Sequence, residues 1–202
     1  MPPRFRYEHN PHSTGHVIAT VRTLMRTDGL DVSLAAIARS CGTSRNFLYA
    51  YWKSAATLHQ LALTAELAHA FEAAQRTCPS DGTTPGIIDH LTHVVRIVRR
   101  HPTTAAVARS SPTALTAAHT AIEGPLVQVA MERISDLLHP LVPRGGIWGD
   151  TALNSRTWKI LWIARPAALC PEAVGDQHWE DALDGAFTEL LRDLLSPWPP
   201  AQ

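Results

Sequence analysis

Cysteines are few in this chain and long apolar runs are absent, and each scarcity excludes something. Three cysteines in 202 residues form an odd set with no paired spacing. A secreted disulfide framework is therefore excluded, and Cys41, Cys78 and Cys170 read as thiols of a reducing compartment. No apolar run approaches the roughly eighteen residues a membrane helix needs, and the first fifteen residues are polar where a signal sequence would be apolar. A cytoplasmic chain with no membrane partner is the expectation.

The usual short enzyme motifs are missing too. Gly-x-Gly-x-x-Gly, Gly-x-Ser-x-Gly, the P-loop pattern and His-Glu-x-x-His do not occur. His90 and His93 share a helical face but stand beside no cysteine, and they read as histidines of a solvated surface. His9, His12 and His16 have a spacing that could gather a metal on a helix, but Pro11 and Gly15 oppose that helix. No enzyme is expected, and neither a metal nor a cofactor. The N-terminal arm with Arg4 and Arg6 reads as a basic segment able to follow a nucleic-acid backbone or enter a minor groove.

What is present is a normal globular balance. Hydrophobic residues make up 45% of the chain, and a chain this long forms one or two domains, burying roughly 70% of its unfolded surface. The formal net charge is zero, but it is unevenly spread. Residues 1–58 carry seven bases and three acids, a net +4, while residues 59–202 carry eleven and fifteen, a net −4. A basic first third on an acidic remainder suits a polyanion-binding head joined to a different kind of body.

Apolar residues recur at helical spacing almost throughout, and no alternating strand pattern survives. The spacing predicts a helix from about Gly15 to Asp28, a short one after Ser33, and a third after Ser44. Ser54 caps a fourth that runs to about Thr77. Further helices are predicted from Pro85 to about Arg100, from Thr103 to Arg109, across 113–139 with a break at Gly124-Pro125, over about 150–165, and from about Asp176 to Leu195. The fold class is all-α, with about nine helices.

Two short helices joined by the break Cys41-Gly42-Thr43 suit a helix-turn-helix, whose second helix enters the DNA major groove. That role needs a polar N-terminal face and a buried opposite face. The third helix offers Ser44, Arg45, Asn46 and Tyr49 outward, with Leu48 and Trp52 directed toward Ile37. Arg bonds guanine bidentately and Asn bonds adenine, while Tyr and Ser reach phosphates. An ordinary helical hairpin with a polar surface would satisfy the same composition.

The residue order is more specific. From Gly29-Leu30-Asp31-Val32-Ser33-Leu34-Ala35-Ala36-Ile37-Ala38 through Cys41-Gly42-Thr43-Ser44 to Phe47-Leu48-Tyr49-Ala50-Tyr51-Trp52, the chain resembles the DNA-binding head of the TetR family of transcriptional regulators. The likeness covers Ile18 to Leu61. It implies a helix-turn-helix domain over residues 1–54, with Ser33, Thr43, Ser44, Arg45, Asn46, Phe47, Tyr49, Tyr51 and Lys53 at double-stranded DNA. It also implies a ligand-binding and dimerisation domain over 55–202. Where family members often carry Ser-Lys-Glu, this chain has Ser54-Ala55-Ala56, and Lys53 stands beside the missing phosphate contact. Asn46 and Phe47 replace small or hydroxylated residues, which bears on the operator sequence.

For the body, Phe71, His93, His119, Met131, Trp148, Trp158 and Trp162 are candidates for an effector pocket, being aromatic or polarizable with a few polar groups. The apolar stripes contain no cluster of fixed charge, which favours a neutral or weakly polar effector. The last two helices are the expected homodimer interface, with Leu183, Phe187, Leu190, Leu191 and Leu194 facing the partner. The resulting expectation is a ligand-responsive repressor. The alternative is a protein-interaction module with a vestigial DNA-binding head.

Overall fold

A computed structural model describes residues 13–114, 117, 121–142 and 149–196. Among them the chain is all-α. Helices α1 (Thr14–Asp28), α2 (Leu34–Ser40), α3 (Arg45–Tyr51), α4 (Ala55–Thr77), α5 (Thr84–Arg100) and α6 (Pro102–Ser110) are followed by α7 (Pro125–Leu138), α8 (Gly149–Ala168) and α9 (Gln177–Leu194). Short 3-10 turns over Gly29–Asp31, His139–Leu141 and Pro171–Ala173 join some of them.

The local chemistry accounts for the starts and stops. Ser13, Ser33, Ser44, Thr83 and Asp176 each accept a hydrogen bond from the backbone N–H three residues on, satisfying donors that the first turn leaves open. Gly124 ends the preceding segment at φ +111°, and Pro125 opens α7 where its missing N–H costs nothing. The expected helix over about 150–165 continues to Ala168, through Pro166. A proline in the last turn gives up a single backbone bond, and Leu169 N–H to the Arg165 carbonyl at 2.8 Å still closes the helix.

The chain divides into two compact units. The first takes residues up to Glu66 together with Pro102–Thr116, and the second takes Leu67–His101 with the rest. A boundary at residues 54 and 55 thus falls at the start of α4, whose Leu58 and Ala62 lie in the core of the first unit with Val107 of α6. That core is built on Val17, Val21 and Met25 of α1, Ile37 of α2 and Leu48 of α3, all fully buried. Each such side chain contributes about 1.5–3 kcal/mol by leaving water. Glu66 of α4 ties back to α1 through Arg22 at 2.9 Å.

Gly29 is what lets α6 reach α1. Its φ of +58° is open to glycine, and a Cβ there would stand 2.2 Å from Ser110 Oγ and 2.5 Å from the Ala106 carbonyl oxygen. Ser110 Oγ in turn accepts from the Leu30 N–H at 3.0 Å.

The second unit packs α5, α7, α8 and α9 around Ile87, Leu91, Val95, Ile134, Leu138, Ile160, Phe187 and Leu191. In sequence, Trp179, Leu183, Ala186, Phe187, Leu190, Leu191, Leu194 and Leu195 form a broad apolar stripe on α9 with Glu180, Asp181, Asp184 and Asp193 expected opposite it. In the structure Glu180 and Asp184 are instead buried with Phe187 and Leu191, while Trp179 and Leu190 face outward. The reason lies on α5. Arg100 holds Glu180 at 2.6 Å, Arg96 Nε donates to Asp184 at 2.9 Å, and Arg99, with no exposed surface, also donates to Asp184. Arg99 Nε donates as well to the Ala167 carbonyl at 2.7 Å, near the end of α8. The body does contain a cluster of fixed charge, contrary to expectation.

We expect Gly29→Ala to destabilise the chain by about 2–4 kcal/mol, through a strained φ and collision with backbone that cannot withdraw. Urea unfolding measures this, and an unchanged midpoint would mean that α6 does not lie against Gly29.

Candidate functional site

The turn between α2 and α3 is set by glycine. Gly42 takes φ +63°, the Thr43 N–H bonds the Ala38 carbonyl at 2.9 Å, and the Gly42 N–H bonds that of Arg39 at 3.1 Å. This is the paired hydrogen-bond closure typical of a helix ending in a left-handed glycine. Ser44 then caps α3, so the first turn of α3 presents Arg45 and Asn46 to solvent, with Tyr49 one turn on. Leu48, wholly buried, fixes the opposite face. Ser33, Ser44, Arg45, Asn46, Tyr49, Tyr51 and Lys53 are exposed, and Thr43 is half-buried. Phe47 is half-buried as well, packed on the core of the first unit and against the Tyr51 ring at 4.8 Å between centroids. Ser54 caps α4 through the Thr57 N–H at 3.2 Å.

One residue that sequence reasoning missed stabilises this assembly. His59 of α4 is buried, and its Nε2 lies 2.9 Å from the Val32 carbonyl, immediately before the α2 cap. A carbonyl only accepts, so Nε2 carries the proton and donates. Burial lowers the imidazole's affinity for a second proton, against a smaller opposing effect of the Val32 carbonyl.

In the second unit the effector candidates separate. Phe71 is buried in the core, and Met131 and Trp158 are half-buried against it. Trp162 is exposed, with the Arg165 guanidinium 4.9 Å over its ring. His119 and Trp148 lie outside the described residues, as do the arm residues Arg4, Arg6, His9 and His12. Among the described candidates His93 alone borders a cleft of about 480 Å³ between α5 and α9, whose walls are polar and charged. Thr77 Oγ1 donates to the Ala73 carbonyl at 2.9 Å, so it accepts from His93 Nε2 at 2.8 Å. His90, read as solvated, is instead buried, its Nδ1 donating to the Cys78 carbonyl at 2.7 Å. Burial, and then Arg96 and His90 nearby, lower the pKa of His93.

The proposed interface residues separate in the same way. Phe187 and Leu191 belong to the core of their own unit, so they are not available to a partner. Leu183 and Leu194 are half-buried, and Leu190 is exposed. The outward apolar face of α9 is instead formed by Trp179, Ala182, Ala186 and Leu190.

Comparison with solved structures settles the architecture. The TetR family repressor AlkX from Dietzia sp. strain DQ12-45-1b, implicated in biodegradation of n-alkanes, superposes over 95% of this chain and 97% of its own with a TM-score of 0.65 at 15% identity. A tetR-family transcriptional regulator from Streptomyces coelicolor matches over 88% of this chain and 76% of its own, with a TM-score of 0.50 at 16% identity. No protein-family model and no curated protein matches the chain. The chain has the TetR-family fold. Within that TetR-like fold the helix-turn-helix is the part legible in sequence, whereas the clamp of α5 on Glu180 and Asp184 of α9 is not, those acids being expected opposite the apolar stripe. Arg96, Arg99 and Arg100 stand within five residues, and Glu180 and Asp184 are one helical turn apart. This complementary spacing was the available signal.

Because the folded pKa values of His59 and His93 lie below the unfolded value, the unfolded chain binds more protons in the window beneath about pH 6.5. Stability of the TetR-like fold should be full above that pH and fall as pH drops toward the folded values. His59→Gln, which keeps a donor to Val32, should flatten part of this slope in urea midpoints taken across the window. Identical profiles would remove His59 from the account.

Proposed function

We propose that this chain is a transcriptional regulator of the TetR family, a repressor that reads a pseudo-palindromic operator as a homodimer and is released by a small effector. The observation that carries the reading is α3 itself. A helix seven residues long, entered through a glycine-closed turn and pinned by Leu48, presents Arg45, Asn46 and Tyr49 together on its open face. That is the arrangement needed for base edges and flanking phosphates in a major groove. Arg45 and Asn46 are the base-reading residues, and Ser33, Thr43, Ser44, Tyr49, Tyr51 and Lys53 serve the backbone. Phe47, held partly inward, supplies an apolar edge at the groove. The fold shared with two TetR-family structures supports a transcriptional regulator.

One such helix makes few contacts, and a two-fold dimer reading two half-sites supplies the rest. The partner of α9 in this reading is α9 of a second copy. Trp179, Ala182, Ala186 and Leu190 form an apolar strip that is exposed in the single chain, and Trp162 of α8 adds a further exposed ring. A self-complementary strip of large and small side chains suits an isologous contact.

The effector is assigned to the apolar part of the second unit, where Phe71 is core and Met131 and Trp158 pack half-buried against it. Effector binding and operator binding then weaken each other by one shared factor, as linkage requires.

Arg45→Ala should cost about 1–3 kcal/mol on the preferred operator and relax selectivity at one base pair. Equal loss on every duplex, measured by fluorescence anisotropy, would make Arg45 a phosphate contact. Replacing Trp179 and Leu190 by glutamate should give folded monomers in sedimentation and reduce operator affinity. A dimer that persists would place the interface elsewhere.

A further inference from the structure

Helices α5 and α9 run antiparallel and meet in regular rungs. Arg100 faces Glu180, Arg96 faces Asp184, and Thr92 faces Thr188 with their hydroxyls 3.3 Å apart. Each rung lies four residues down one helix and four residues up the other, one helical turn. The next turn brings Arg192 level with Ile88 and Asp89. Ile88 is buried in the core, so Asp89 is the polar residue at that level. Among the described residues no ion pair joins Asp89 to Arg192, and both instead border the open cleft of about 480 Å³. Its volume falls within the range of small-molecule sites.

The walls of the cleft carry both signs. Asp89 and Glu189 supply carboxylates and Arg192 a guanidinium, while Arg96 and Asp184 are already engaged with each other on the closed rung. His93 commits Nε2–H to Thr77, which leaves Nδ1 as an acceptor in its neutral form. Gly185 lowers one wall. A Cβ built there meets nothing within 4 Å, so no atom of the described residues requires a glycine in mid-helix, where it costs about 1 kcal/mol relative to alanine. A ligand of a single charge would satisfy one side of the open rung and leave the other unpaired.

We propose that this cleft binds a small zwitterion that completes the ladder, its ammonium at Asp89 and Glu189 and its carboxylate at Arg192. The site is separate from the apolar effector region assigned above, and its occupancy does not depend on whether the helix-turn-helix reads DNA.

The test is isothermal titration of the full chain with unbranched amino acids of increasing length, from glycine to 6-aminohexanoate, beside butylamine and butyrate. The series scans the gap between the two charges. At least one zwitterion should bind saturably with one site per chain, and the two single-charge compounds should bind about tenfold more weakly or less. Asp89→Asn and Arg192→Gln, both at exposed positions, should each weaken binding by a similar factor while leaving the thermal midpoint in place. The exchanged double variant, Asp89→Arg with Arg192→Asp, should recover binding, because the ligand can reverse. Absence of saturable binding throughout the series would overturn the proposal. So would equal binding of butylamine or butyrate, or zwitterion affinity unchanged in both single variants.

Discussion

A guanidinium with no exposed surface fixes the arrangement of the second unit. Arg99 sits at the end of α5, and a charge so placed costs several kcal/mol unless it is paired and hydrogen-bonded. Asp184 of α9 accepts from its Nη2 and the Ala167 carbonyl of α8 from its Nε, the latter at the helix end where carbonyls are free and the dipole favours a cation, while Nη1 has no hydrogen-bond partner among the described residues. Three helices are thereby committed to one point. The rotation of α9 about its own axis follows, because turning Asp184 inward also turns Glu180, Phe187 and Leu191 inward. Glu180 accepts from the Gly175 N–H as well as from Arg100, and these two hold its carboxyl below the ordinary range. The same rotation turns Trp179, Ala182, Ala186 and Leu190 outward. The apolar strip assigned to a second copy is thus a consequence of a buried charge.

The first unit depends on polar and steric details of another kind. Its core is apolar, and specific contacts join the segments that close it: Gly29 under Ser110, His59 under Val32, Glu66 against Arg22 and Arg26. Each joins elements distant in sequence. α3 contributes only Leu48 and the edge of Phe47 to the core, so the rest of its surface remains free for a ligand.

Much of this was legible in the sequence where the signal is local. Caps at Ser33, Ser44 and Ser54, the glycine of the α2–α3 turn and the break at Gly124-Pro125 each involve neighbours within a few residues, and each stands where local chemistry puts it. The inward face of α9 was not legible from a hydrophobic stripe, because the stripe is apolar on two sides and the deciding groups lie on α5, more than eighty residues earlier. A stripe wider than one neighbour requires put Phe187 and Leu191 against a partner, whereas both belong to the core of their own unit. Likewise, His90 was placed in solvent when its ring nitrogen caps the Cys78 carbonyl. The return of α6 to the first unit depends on the space left by one hydrogen atom at Gly29, which composition cannot report.

The account rests most heavily on sequence-selective, two-fold binding of DNA by this fold. The most direct measurement is to select bound fragments from the source genome at moderate salt and align those that survive. Half-sites in inverted repeat, with centres about one helical turn apart or a multiple of it, are the predicted result. Protein shown to be folded and dimeric that enriches no sequence, with affinity insensitive to salt, would contradict the account and leave the exposed face of α3 to a protein partner.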